Sequence, residues 1–147
     1  MIACVAMIAR TNQPVLLRVY ADSVEETKFH YVCHCSIDLF EEREQTLRLG
    51  SGVKNADMFL GLLFAMEEYK VYGYVTCTGA RLALVLDEAD SKDDTVIRAF
   101  LSKLHALYTD AVSNPFYVAT EEIKSKKMDE SLAVLVRQWN SDSFVAR

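Results

Sequence analysis

The residues able to do chemistry in this chain are few and scattered. Its four cysteines are Cys4, Cys33, Cys35 and Cys77, and its three histidines are His30, His34 and His105. Cys33 and Cys35 form a Cys-x-Cys pair, but inside a predicted helix. Helical residues two apart point about 200° away from each other, so the pair does not close on one metal ion. One buried and one exposed thiol are expected there. His30 and His34 are four apart and would share a helix face, where two imidazoles can hold a metal. No zincin glutamate accompanies them and no third ligand stands in evident register, so they are read as solvated helix histidines. His105 falls on the flank of a second predicted helix. Nothing in the sequence places Cys4 or Cys77 beside a histidine to build a thiol–imidazole pair.

Other reactive constellations are missing. The five glycines include no strand–loop–helix phosphate cradle, and there is no Gly-x-Ser-x-Gly nucleophile elbow. The acidic groups Glu67-Glu68, Asp87-Glu88-Ala89-Asp90 and Asp93-Asp94 read as solvated turns and helix caps. Lys124, Lys126 and Lys127 make a small basic patch able to touch an acidic partner or lipid headgroups, or to stand as ordinary surface. No catalytic residue, cofactor site or metal site is expected.

The elements that must position these residues are legible from periodicity. Ile2 to Ala9 is a continuous apolar run, as in a central strand covered on both faces. Thr11-Asn12-Gln13-Pro14 is turn chemistry, and Val15 to Tyr20 completes a hairpin. Asp22 or Ser23 caps a helix running from Glu25 to Leu49, ended by Gly50-Ser51-Gly52. Asp57–Met66, Tyr69–Cys77 and Arg81–Asp87 form a three-strand meander. A second helix spans Asp93 to Val112 and stops at Pro115. The last runs from Ser125 to Asn140 with Met128, Leu132, Leu135, Val136 and Trp139 as its stripe. The order is β-β-α-β-β-β-α-α. A five-stranded, mainly antiparallel sheet with helices on both faces would bury every stripe. That α/β (α+β) arrangement resembles the longin-like, or profilin-like, α/β/α sandwich. Residues 1–140 are expected to form one domain, with a frayed tail over 141–147.

Size and charge narrow the class. The chain has 147 residues, 51% of them apolar and 25% charged, with a net charge of −5. That suits one domain with a real core. A mildly acidic chain is not drawn to nucleic acid or anionic lipid, so neither is expected as a partner. The longest apolar run, Met58 to Met66, is far short of the roughly 20 residues a spanning helix needs. Met1 to Ala9 lacks a basic leader and reads as a strand, not a signal peptide. The cysteines are expected as free thiols in a reducing cytosol.

The first helix carries one surface richer in apolar groups than solvation requires. Advancing 100° per residue from Phe29, the positions Val32, Cys33, Ser36, Phe40 and Leu47 gather around it as the core stripe. Tyr31, Cys35, Asp38 and Glu42 gather opposite. A strip mixing apolar and acidic groups on a surface helix suits a partner interface, and tyrosine is enriched in such places. Beyond the second helix, Asn114-Pro115-Phe116-Tyr117 is read as a structural loop in which Phe116 and Tyr117 anchor the crossover. Asn-Pro-Phe is also a short peptide ligand of endocytic proteins, a role that needs an exposed loop.

Several strings in order carry a resemblance. They are Lys28-Phe29-His30-Tyr31, Ser36-Ile37-Asp38-Leu39-Phe40-Glu41-Glu42, Leu60-Gly61-Leu62-Leu63-Phe64, and Glu68 through Thr76. Lys103-Leu104-His105, Tyr108-Thr109-Asp110 and Asn114-Pro115-Phe116-Tyr117 follow. Together, over Met1 to Val136, the chain resembles the sedlin-like small subunits of the TRAPP vesicle-tethering complex, and their "subunit 2-like" branch more than sedlin itself. Asp38 matches the aspartate of the family's Ser-Leu-Asp-like string, and Asn114–Tyr117 its Asn-Pro-Phe-Tyr string. Gly50 to Asn55, Asn12-Gln13-Pro14, Gly79-Ala80-Arg81 and the tail after Trp139 depart from the family.

The resemblance implies a non-enzymatic adaptor. Its expected partners are a helical core subunit, a large peripheral subunit and, indirectly, a Rab GTPase. Its expected place is the cytoplasm, peripheral at ER–Golgi and Golgi membranes. An exposed apolar strip also implies self-association when partners are missing. Two other readings stay open: a longin-fold module of a coat adaptor or SNARE system, and a thiol- or metal-dependent enzyme.

Overall fold

The computed structural model describes residues 1–21, 26–49, 58–119 and 121–146, with 47–49 as backbone alone. Eight elements follow in order: β1 (Ile2–Ile8), β2 (Pro14–Val19), α1 (Glu26–Leu49), β3 (Phe59–Ala65), β4 (Tyr69–Val75), β5 (Arg81–Asp87), α2 (Asp94–Val112) and α3 (Lys126–Asn140). They reproduce the expected order with ends moved by one or two residues. The expected caps Asp22 and Ser23, the loop Gly50 to Asn55 and the expected strand start Asp57 lie outside the described residues.

The sheet runs β2-β1-β5-β4-β3, and every neighbouring pair is antiparallel. The crossover from β2 through α1 to β3 carries the chain from one edge to the other, and the meander returns it to the middle beside β1. That is why β1 and β5 are the most apolar strands: each is flanked on both sides and covered on both faces.

Strand alternation sorts the side chains by size. Ile2, Val5, Met7, Tyr72, Tyr74, Leu82, Leu84 and Leu86 pack with α2 and α3. Ala3, Cys4, Ala6, Val71, Ala83 and Val85, with the larger Ile8 and Leu63, pack with Phe29, Val32, Cys33, Ile37 and Phe40 of α1. Two helices need bulky residues to fill the space between them, whereas a single helix seats closely on small ones. Gly73 is the limiting case. A Cβ there would stand 2.9 Å from both Leu63 Cδ1 and Phe40 Cε1.

Local chemistry ends the elements. The β1–β2 turn places Asn12 at φ 65°, a left-handed conformation that asparagine tolerates. Its N–H donates to the Ala9 carbonyl at 2.9 Å. Ser125 caps α3, its Oγ accepting from Met128 N at 3.3 Å. The tail, expected to fray, holds one packed residue. Phe144 lies against Phe100 and Trp139, with ring centroids 5.6 and 5.5 Å away. The Lys103 ammonium lies 4.4 Å from the Phe144 ring centroid, and Nζ donates to the Val145 carbonyl at 2.9 Å. One aromatic with a vacant hydrophobic seat is enough to tie down a short polar tail. Among the described residues no helix is long and apolar enough to cross a membrane.

Candidate partner interface on the first helix

Helix α1 presents Tyr31, Cys35, Asp38 and Glu42 along one line, spaced four, three and four residues apart. That line is about 16 Å long at 1.5 Å per residue. Tyr31 is 65% exposed, Asp38 and Glu42 are exposed, and Cys35 is half-buried. The opposite face holds the strip in place. Phe29, Val32, Cys33, Ser36, Ile37 and Phe40 are all buried against the sheet, so α1 cannot roll without opening the core. Ser36 satisfies its hydroxyl within the helix by donating to the Cys33 carbonyl at 2.6 Å. Ile37 also belongs to this buried stripe, beyond the positions expected around Phe29. Leu47, expected in the stripe, lies outside the described side chains.

The strip is chemically mixed. The Tyr31 hydroxyl is hydrogen-bonded to Cys35; that bond, and then the charge a Cys35 thiolate would carry, hold the phenol above its usual range. Further along, Asp38 and Glu42 add carboxylates with no hydrogen bond or ion pair to their side chains among the described residues. The exposed Arg43 reaches sideways to the edge strand, donating to the Leu62 carbonyl at 3.3 Å. Leu62 of that strand and Met58 just before it are 41% and 39% exposed.

The other candidate residues fall apart from one another. His30 and His34 are both exposed on α1, and His30 Nε2 lies 3.9 Å from Glu26 Oε1. No group of three metal-ligating side chains exists among the described residues. All four cysteines are free. Burial pushes the Cys33 thiol up to about 11. Burial, with the neighbouring Cys33, pushes Cys4 higher still. Both stay protonated and are poor nucleophiles at neutral pH. His105 is on the other side of the sheet, its Nδ1 3.5 Å from the Tyr74 hydroxyl, so it forms no pair with Cys4 or Cys33. Lys124, Lys126 and Lys127 are exposed, and Lys126 stands 4.0 Å from Glu130.

Asn114–Tyr117 corrects one expectation. Tyr117 does anchor the crossover: it packs on the core and its hydroxyl donates to the Glu121 carbonyl at 3.1 Å. Phe116 does not, because it is 90% exposed. The tight turn after Pro115 points residues 116 and 117 in different directions, and only one can face inward.

Two polar sites were not visible in the sequence pattern. Arg81 opens β5 on the α1 face with its side chain 8% exposed, its Nε 2.9 Å from Glu44 Oε1 of α1. Its NH1 also donates to Asn12 Oδ1, and Asn12 Nδ2 donates to Glu41 Oε1 at 3.0 Å. This network ties the hairpin turn, β5 and the middle of α1 together. Its only sequence signal is an arginine in phase with Ala83 and Val85. The second site is Asp90, expected in a solvated turn but with its side chain 5% exposed. It accepts from Trp139 Nε1 at 2.8 Å and from the Met1 ammonium at 2.9 Å. Burial works to raise the Asp90 carboxyl pKa. Hydrogen bonds from the Met1 ammonium, Trp139 and the Lys92 backbone outweigh it and hold the carboxyl below its ordinary value.

Comparison with known proteins fits this arrangement. The family model described as sedlin matches residues 7–138. The trafficking protein particle complex subunit 2-like protein of Dictyostelium discoideum is 37% identical over 140 residues, covering 92% of this chain and 96% of that protein. The proteins of the same name from Rattus norvegicus and Xenopus tropicalis are 36% and 37% identical, and the alignments cover 94% and 92% of this chain and 99% and 97% of theirs. With the family model spanning nearly the whole described fold and relatives aligned almost end to end, the chain belongs to the sedlin family.

Proposed function

We propose that this chain is a non-catalytic assembly subunit of a trafficking protein particle complex, an adaptor in ER–Golgi and Golgi vesicle transport. The observation that carries the reading is the family match over residues 7–138 together with relatives named as subunits of such a complex. An adaptor needs a shaped, rigidly held surface and no reactive constellation. The outer line of α1 suits that role: Tyr31 and Cys35 supply apolar contact, and Asp38 and Glu42 supply charge to set partner and register. In this reading the strip meets a helical core subunit or a large peripheral subunit. The chain contributes to Rab GTPase exchange through assembly, from the cytoplasmic side of ER–Golgi and Golgi membranes.

The test is quantitative mass spectrometry of what co-purifies with the tagged protein from its own cells. Recovery of other subunits of the complex in near-equal amounts supports the reading. Recovery of coat-adaptor or SNARE components instead moves the function to another trafficking system, and isolation alone with bound zinc overturns the adaptor role. Asp38→Tyr should leave stability within about 0.5 kcal/mol of the parent, as exposed substitutions do, while lowering partner recovery. If that variant loses its melting transition, Asp38 is structural and the strip is misassigned.

A further inference from the structure

Asn114-Pro115-Phe116 is a pointed feature that the α1 strip does not absorb. Phe116 is 90% exposed, an unusual state for a phenylalanine, whose burial is strongly favoured. The backbone that carries the ring is held. Pro115 fixes its own backbone φ. The Phe116 N–H donates to Asn114 Oδ1 at 3.0 Å, and the Tyr117 N–H donates to the Asn114 carbonyl at 3.0 Å. Together these close a β-turn with asparagine first and phenylalanine third. Behind it, α2 ends at Val112 and Tyr117 packs on the core, so the turn is anchored on both sides.

We propose that this turn is a peptide ligand in its own right, inserting Phe116 into the apolar pocket of an endocytic domain that recognises Asn-Pro-Phe. Three observations favour that occupant over a flat protein surface. The sequence is the complete tripeptide motif. Its asparagine side chain already closes the turn, which a free peptide must order at an entropic cost on binding. The aromatic ring projects into solvent, as a knob for a pocket requires. The role that needs an exposed loop is met by the geometry, whereas the anchoring role falls to Tyr117.

The experiment is calorimetric titration of the purified chain with an isolated EH domain, the module that takes Asn-Pro-Phe turns. Saturable one-to-one binding is expected, displaced by an excess of a linear Asn-Pro-Phe peptide. Phe116→Ala should weaken it roughly 30-fold or more, as for loss of an anchoring aromatic. The same variant should keep the parental Tm, because the ring touches so little of the fold. Asn114→Ala, which removes the side-chain bond closing the turn, should also weaken binding. No heat at about 1 mM domain, where even weak motif binding registers, overturns the proposal. So does binding that Phe116→Ala leaves intact or that the peptide fails to displace. Phe116-dependent self-association in light scattering, without EH-domain binding, assigns the ring to a second copy and also overturns it.

Discussion

The Arg81–Glu44 pair is the sharpest test of how α1 is held over the sheet. Arg81 approaches Glu44 in fork geometry, Nε at 2.9 Å and NH2 at 3.5 Å, with the two side chains 8% and 20% exposed. Breaking a fully buried pair by removing one partner costs about 3–5 kcal/mol. Two features lower that figure here. Glu44 keeps some contact with water, and Arg81 retains Asn12 and the face of Phe40, 5.9 Å from its guanidinium carbon. Glu44→Gln and Arg81→Met are therefore each expected to cost about 1–3 kcal/mol. The double variant should cost less than their sum by about 1–2 kcal/mol, because the shared interaction can be lost only once. The assay is urea unfolding followed by the fluorescence of Trp139. It is the sole tryptophan and fully buried. With a slope near 2 kcal/mol per molar urea, each kcal/mol moves the midpoint by about 0.5 M. Penalties that add to within about 0.3 kcal/mol would refute energetic coupling, leaving the network a geometric coincidence.

Three further outcomes follow from the packing and the titrating groups. Gly73→Ala should destabilise by about 1–3 kcal/mol in the same unfolding assay, since the new methyl meets Leu63 and the buried Phe40 ring; an unchanged midpoint would show that both side chains yield freely. Asp90 should set part of the acid sensitivity. Its folded carboxyl lies below its ordinary 3.8, so its stabilising contribution is complete above that pH and fades as acidification passes through the folded value. Asp90→Asn should melt lower than the parent at neutral pH, with the two Tm values converging below about pH 3.8; a gap that stays constant would assign its effect to shape alone. Thiol labelling at neutral pH should modify the exposed Cys77 first and reach Cys4 and Cys33 only in denaturant, because burial keeps those two protonated and covered. Rapid labelling of Cys33 in the native protein would contradict the seating of α1.

What the sequence determined by itself was whatever depends on periodicity along the chain. The unbroken apolar run of β1, the meander from β3 to β5 and the stripes of α2 and α3 are local patterns, and each was legible in a window of a dozen residues. The outer line of α1 was legible for the same reason: a helix repeats its faces every 3.6 residues, so burying Phe29, Val32 and Phe40 obliges Tyr31 and Asp38 to face away. Tertiary structure alone decided which polar groups meet. Arg81 and Glu44 lie 37 residues apart, and Asp90 and Trp139 lie 49 apart. No periodicity reports such pairs, because they exist only once the sheet order has brought their elements together. The same holds for Phe116 and Phe144, two phenylalanines beyond helix ends. One points into water and the other into a seat between Phe100 and Trp139, and the difference lies in what the fold left open beside each.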